Sequence, residues 1–233
     1  MNDTDVSEAF SAPDHIVSFS MGGSELLLYR NWRWLVDTLF SAGVRLNLST
    51  NGMLLDRDAI DFLFARPYLD SLNISLDGAT RETIEAIRVK VRYNQLLANI
   101  DYLFSILCRA QVKLSLSFSF LLMRRNYKEL PKLFPLLDSL RAEREVPIHV
   151  TIQSLVNAPN DSYQSFVRQE GLGGLEESEL RRVFSQAAVA AQRHAIGARV
   201  FNAWDLSEFT ARDVPFPMLP GLGSRRNLVH NPH

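Results

Sequence analysis

Two hydrophobic rhythms take turns along the chain. Short stretches in which apolar and polar residues alternate are separated by longer ones with apolar residues three or four apart, the patterns of half-buried strands and amphipathic helices. Five stretches alternate: Val17, Phe19 and Met21 against Ser18 and Ser20; Val44, Leu46 and Leu48 against Arg45, Asn47 and Ser49; Leu72, Ile74 and Leu76 against Ser71, Asn73, Ser75 and Asp77. The fourth sets Val112, Leu114, Leu116, Phe118 and Phe120 against Lys113, Ser115, Ser117 and Ser119, and the fifth sets Ile148, Val150 and Ile152 against His149, Thr151 and Gln153. They predict strands over 15–20, 44–49, 71–76, 112–121 and 147–155. Between them the spacing predicts a helix carrying Trp32, Leu35, Val36 and Leu39, closed by Gly43, and a second capped by Asp56 and stopped at Pro67. A short helix capped by Thr80 runs through Arg88, and a long one places Leu96, Ile100, Leu103, Phe104 and Leu107 on one face. Cys108 borders that face and reads as a buried, inert thiol. Asn126 and Glu129 have the form of a capping box before a helix with Leu130, Leu133 and Phe134, which Pro131 and Pro135 should bend.

Strand follows helix in strict rotation through Leu155, with crossovers long enough for parallel pairing. Parallel strands covered on both faces are apolar throughout, yet here one face is polar five times over. The economical solution is an α/β fold, an incomplete, open parallel (β/α) barrel of five or six strands with helices outside and a polar inner face around water or a polar ligand. An antiparallel sheet with one wet face is the alternative, and the helical crossovers speak against it. Ligands of open barrels lie at the C-terminal ends of the strands. That gathers Gly22-Gly23-Ser24, Ser49-Thr50-Asn51-Gly52 and Ser75-Leu76-Asp77-Gly78 into one site. Each of these residues also fits a plain role as turn or cap; Asp77, for instance, can initiate the helix near Thr80.

Length and composition set the outer bounds. With 233 residues, 46% of them hydrophobic, the chain can bury a real core. The expected organisation is a flexible leader over 1–14, the partial barrel over 15–155, a loop, helix and edge strand completing the core over 156–204, and an irregular tail over 205–233. Twenty-five basic residues balance 26 acidic ones, so neither nucleic acid nor a membrane is expected as a partner. No apolar run reaches the roughly 18 residues of a membrane span, and the acidic N-terminus is unlike a signal peptide, so a cytoplasmic location is expected. His230 and His233 read as part of a solvated tail rather than a metal pair.

FSMGGSELLL resembles the GGEP segment of radical S-adenosylmethionine enzymes, LSTNG resembles the turn after their third strand, and ISLDG the end of their fourth. The three occur in order on successive strand-helix units over 15–155. The resemblance implies S-adenosylmethionine as cofactor, with Gly22, Gly23 and Ser24 at its methionyl amine, Ser49, Thr50 and Asn51 on its other side, and Ser75 and Asp77 toward the ribose. Arg88 matches an arginine found after the fourth strand in some relatives. Two departures stand out. Ser24 replaces the family's glutamate and Glu25 its proline, which takes a carboxylate from the amine site unless Glu25 reaches in. The family also holds a 4Fe-4S cluster on a CxxxCxxC loop upstream of GGE, and the chain's single cysteine is Cys108.

The first strand-helix unit of the family barrel is missing as well, which would expose the edge of the strand over 15–20 to a peptide substrate or a complementing polypeptide. The cysteine-rich extension of peptide-modifying relatives is absent too, so the chain is expected to be shortened at both ends. Two readings follow. One is a radical S-adenosylmethionine enzyme core, inactive alone because its cluster cysteines are lost, misplaced or supplied by another polypeptide. The other is a catalytically silent module that binds S-adenosylmethionine or a nucleoside. An unrelated hydrolase or transferase finds no GxSxG or GxxxxGK[ST] motif and no His/Glu pair at metal spacing to support it.

Overall fold

The computed structural model describes residues 18–20, 25–66, 68–110, 114–155 and 161–201. Six strands, β1 (Ser18–Ser20), β2 (Arg45–Thr50), β3 (Leu69–Ser75), β4 (Ser115–Leu122), β5 (His149–Ser154) and β6 (Gly197–Phe201), form one sheet. All neighbours pair in parallel, and their spatial order equals their sequence order. Helices fill the crossovers: α1 (Trp32–Ser41), α2 (Arg57–Phe64), α3 (Arg81–Ile87) with α4 (Tyr93–Ala110), α5 (Leu130–Arg141), then α6 (Asp161–Glu170) with α7 (Glu177–Arg193). Because parallel crossovers keep one hand, strands added in order collect their helices on one side and leave the other open. This is the open (β/α) barrel predicted from the alternation.

The core lies between the sheet and that helical layer. Leu46, Leu72, Ile74, Phe118, Phe120, Val150 and Ile152 are fully buried on the outward face and meet Ile60, Leu103, Phe104 and Phe134 from the helices. A smaller apolar cluster of Met123, Leu155 and Val167, joined by Ile87 and Leu121, ties α6 to the ends of β4 and β5.

Local chemistry explains most element ends. Asp56 Oδ1 accepts the Ala59 N–H at 2.9 Å to start α2, and the Thr80 side chain accepts from Thr83 N to start α3. Three expectations are corrected. Asn126 and Glu129 make no capping box, because Asn126 caps nothing with its side chain and Glu129 turns to residues 79 and 80. Pro131 falls in the first turn of α5, where a missing N–H costs nothing, and the helix runs on through Pro135 to Arg141. Cys108 is exposed, not buried: one position past buried Leu107 the helix surface has turned about 100° from its packed stripe, and Cys108–Ala110 all face solvent. The expected strand residues 15–17, 112 and 113, and His230 and His233, lie outside the described residues.

Candidate functional site

The polar residues of the strands stand in rows across the inner face. Pairing places Ser49, Asn73, Ser117, His149 and Gly197 side by side on five strands, with Ser75, Ser119, Thr151 and Arg199 one row nearer the C-terminal ends. Over β2, β3 and β4 these side chains bond to one another. Asn73 Nδ2 donates to Ser49 Oγ and Ser119 Oγ, both at 3.2 Å, and its Oδ1 accepts from Ser117 Oγ at 3.0 Å. Ser71 Oγ donates to Asn47 Oδ1 at 2.6 Å, and Ser119 Oγ to Ser75 Oγ at 3.3 Å. Most of these side chains are half-buried. The polar alternation is therefore a cross-strand hydrogen-bond lattice that leaves a preformed polar floor.

Where β2 ends, the turn is built from its own side chains. Thr50, 3% exposed, accepts the Gly52 N–H on Oγ1, and Asn51 Oδ1 accepts the Met53 N–H. Asn99 on α4 holds the outer side of the turn by donating to the Gly52 carbonyl at 2.9 Å. The Asn51 N–H points across to Glu25, whose Oε2 accepts it at 2.8 Å. Glu25 precedes the 3-10 turn Leu26–Leu28 but does not cap it with its side chain. Its second oxygen, Oε1, is buried and has no hydrogen-bond partner among the described residues. A buried carboxylate oxygen left unpaired is costly, and it marks a place for a donor that the described residues do not supply. Gly22, Gly23 and Ser24 lie outside the described residues.

At the end of β3 the expected pair Asp77 and Arg88 meets directly. Asp77, 3% exposed, takes Arg88 Nε on Oδ2 at 2.8 Å and the Leu121 N–H on Oδ1 at 2.8 Å. Both carboxylate oxygens are engaged, so Asp77 locks β3 to β4 and to the end of α3. Asn126, 1% exposed, crosses behind it, donating to the carbonyls of Asp77 and Leu121 and accepting from Met123 N. Glu129 holds the following loop through the N–H groups of Ala79 and Thr80 and the Thr80 hydroxyl. Burial opposes ionisation of Glu129, but these bonds and the Thr83 hydroxyl outweigh it and hold the carboxyl below its ordinary value. A Cβ on Gly78 would come within 2.9 Å of Thr83 and 3.2 Å of the Glu129 carboxylate, so the loop packs too tightly for a side chain there. Ser75 stays on the inner face in contact with Ser119.

The sequence motif points to Glu25 only conditionally and gives Glu129 the form of a helix cap. An acidic residue in a strand-end motif where the family has proline was the available signal for Glu25. Nothing in the local sequence distinguishes Glu129 from a helix cap.

Among the described residues, no group of three or more His, Cys, Asp or Glu is arranged to hold a metal ion. A cluster held by three thiolates does not fit the donor set: the sequence has one cysteine, and it sits on the exposed last turn of α4, the helix end that leads into the start of β4, opposite the strand ends that carry Asn51 and Asp77. S-adenosylmethionine does fit, with a carboxylate oxygen that is unpaired among the described residues for its ammonium and a floor of hydroxyls and amides beside it.

A polar-floored open barrel with its strand-end turns brought together defines a class, and the sequence comparison agrees with it. The radical SAM superfamily model matches residues 5–134, more than half of the 233-residue chain, and the chain belongs to that superfamily. Among solved structures it is similar to Streptococcus suis SuiB, free and bound to S-adenosylmethionine, each at 11% identity and a TM-score of 0.57, covering 81% of this chain and 40% of that one. SuiB bound to its precursor peptide SuiA matches at 11% identity and a TM-score of 0.55, covering 80% and 38%. The chain thus spans about two fifths of the length of SuiB, and the likeness establishes a shared fold. No curated protein matches the sequence. No described helix is long and apolar enough to cross a membrane.

Proposed function

We propose that this chain is the S-adenosylmethionine-binding core of a radical SAM enzyme, with the cofactor at the C-terminal ends of β1 to β3. The carrying observation is Glu25. Its carboxylate is fixed by Asn51 N–H and presents a buried Oε1 that is unpaired among the described residues, a fitting acceptor for the methionyl ammonium in place of the glutamate that Ser24 displaces. Gly22, Gly23 and Ser24 would complete that end, Ser49, Thr50 and Asn51 its flank, and Ser75 the ribose side. Asp77 and Arg88, spent on each other, would shape the wall rather than bind. Residues 15–155 would carry the cofactor and 156–204 complete the core. When bound in the family, the 4Fe-4S cluster supplies the electron for cofactor cleavage; the thiolates for it are not among this chain's residues, and its single cysteine favours a second reading, cofactor or nucleoside binding without redox chemistry. β1 pairs only with β2 among the described residues, and its other edge is where a peptide substrate or a complementing polypeptide would add.

Calorimetry with the full chain tests the cofactor contact. S-adenosylmethionine should bind, and Glu25→Gln should weaken it about tenfold or more, the cost of replacing a charge-assisted bond by a neutral one. 5′-Methylthioadenosine, which lacks the amino-acid end, should bind both proteins alike. Equal affinity of the two proteins for S-adenosylmethionine would refute the assignment of Glu25.

A further inference from the structure

Beyond the ends of β1, β2 and β3, three loops, 26–31, 51–55 and 88–92, form a rim beside the strand-end turns, and they are stitched together in sequence. Glu25, at the head of the first, accepts the Asn51 N–H of the second at 2.8 Å, and the Met53 sulfur accepts the Arg92 N–H of the third at 3.4 Å. Arg88 ties the third loop to the end of β3 through Asp77. Each loop exposes one aliphatic side chain, Leu28, Leu54 and Val89. Leu28 and Val89, 72% and 84% exposed, are the most exposed large apolar residues among the described ones. A single exposed aliphatic is ordinary, but three on interlocked loops beside a ligand site form a surface suited to docking. The same loops are basic: they contain Arg30, Arg88, Lys90 and Arg92 and no acid. Arg88 is engaged by Asp77, whereas Arg30, Lys90 and Arg92 are exposed and pair with no acid among the described residues. The acids nearby have other roles. Glu25 accepts from Asn51 and Asp56 from Ala59, while Asp58 and Glu82 lie in the first turns of α2 and α3, where the helix dipole favours negative charge. Lys90 has φ +68°, a conformation that glycine or asparagine adopts with less strain. The lysine bears that strain and sets a cation beside Val89.

We propose that this rim docks an acidic segment of a partner polypeptide, one in which carboxylates flank a large apolar side chain. Neighbouring strands lie about 4.8 Å apart, so the three loops span about 10 Å, a distance that three or four residues of extended chain cross. The apolar side chain rests on Leu28, Leu54 and Val89, and the carboxylates face Arg30, Lys90 and Arg92. Charge complementarity selects the segment and speeds its approach, while apolar contact holds it. The proposal rests on the strand ends being the ligand site, and it places the polypeptide on the loops rather than on the outer edge of β1.

The test is fluorescence anisotropy on the full chain with two labelled hexapeptides, DELFED and KKLFKK, which share the apolar pair and differ in charge. The acidic peptide should bind, less tightly as salt is added, and the basic one should not. Leu28→Ser combined with Val89→Ser should lower the affinity for the acidic peptide about tenfold or more, and Arg92→Glu should lower it about fivefold. All three positions are exposed, and in calorimetry each variant should take S-adenosylmethionine as the wild type does, which separates the rim from the cofactor site. Equal binding of the two peptides, binding of neither, or an unchanged affinity in both the apolar double variant and Arg92→Glu would overturn the proposal. Self-association that Val89→Ser abolishes, in a protein that takes neither peptide, would give the rim to a second copy and likewise overturn it. Selective binding of the acidic peptide by a wild type that takes no S-adenosylmethionine would uphold the rim and refute the cofactor reading instead.

Discussion

Gly52 has the most demanding backbone position at the strand-end turns. Its φ is +81°, and a Cβ there would lie 2.6 Å from Leu96 Cδ1. Gly52→Ala combines backbone strain with a clash and should cost about 2 kcal/mol or more, read from urea denaturation. The reverse case is Ala142, which follows α5 at φ +53° and ψ −134°, a conformation suited to glycine. Ala142→Gly should therefore stabilise the protein by about 1 kcal/mol. Residues whose partners are sequence neighbours were legible in advance, as with the Asp56 and Thr80 caps. Asn126 and Glu129 were not, because the spacing of a capping box says nothing of acceptors and donors some fifty residues away at Asp77, Ala79 and Thr80. Cys108 failed for a geometric reason, since a residue bordering a stripe is placed by where the helix stops packing.

Among elements, strands and long amphipathic helices were readable because each has one apolar face. α6 was missed: DSYQSFVRQE is mostly polar, and Val167 is its contribution to a small cluster at the strand ends. Its C-terminal end is secured by charge, Glu170 accepting from Arg125 while its carbonyl accepts the Arg124 N–H at 2.7 Å. Two links between elements can be tested. Asp77→Asn removes the charge from a pair that joins β3, β4 and α3, and with Arg88 still partly wet it should cost about 2 to 3 kcal/mol in chemical denaturation. Glu129, held below its ordinary value of 4.5, lends its full stabilisation to the fold above that pH and loses it as pH falls through the folded-state value. The stability gap between wild type and Glu129→Gln should accordingly be widest near neutrality and close below about pH 4.5. A gap that stays constant with pH would mean that Glu129 acts through packing alone.

For the whole molecule, the alternation of polar and apolar residues together with the helical crossovers pointed to an open parallel barrel with a polar interior, since crossovers of one hand on strands added in order put the helices on one face and leave the other wet. The candidate site reads in the sequence as a place, the C-terminal strand ends, rather than as a set of contacts. Asp77 and Arg88 do come together, but on each other, and the carboxylate we propose for the ligand is that of Glu25, one residue from where the motif would put it. A ligand that binds only the folded chain raises its melting temperature, and at a hundredfold excess over Kd contributes about 2.7 kcal/mol. S-adenosylmethionine should thus raise the melting temperature of the wild type and do so much less in Glu25→Gln.

The agreement between spatial and sequence order of the six strands has a bearing on synthesis. Each strand-helix module meets its predecessor as soon as it leaves the ribosome, with no later segment needing to slip between two already joined. Assembly can then proceed as a growing ribbon, and its margins are the places where a module can be added or removed without rethreading the remainder.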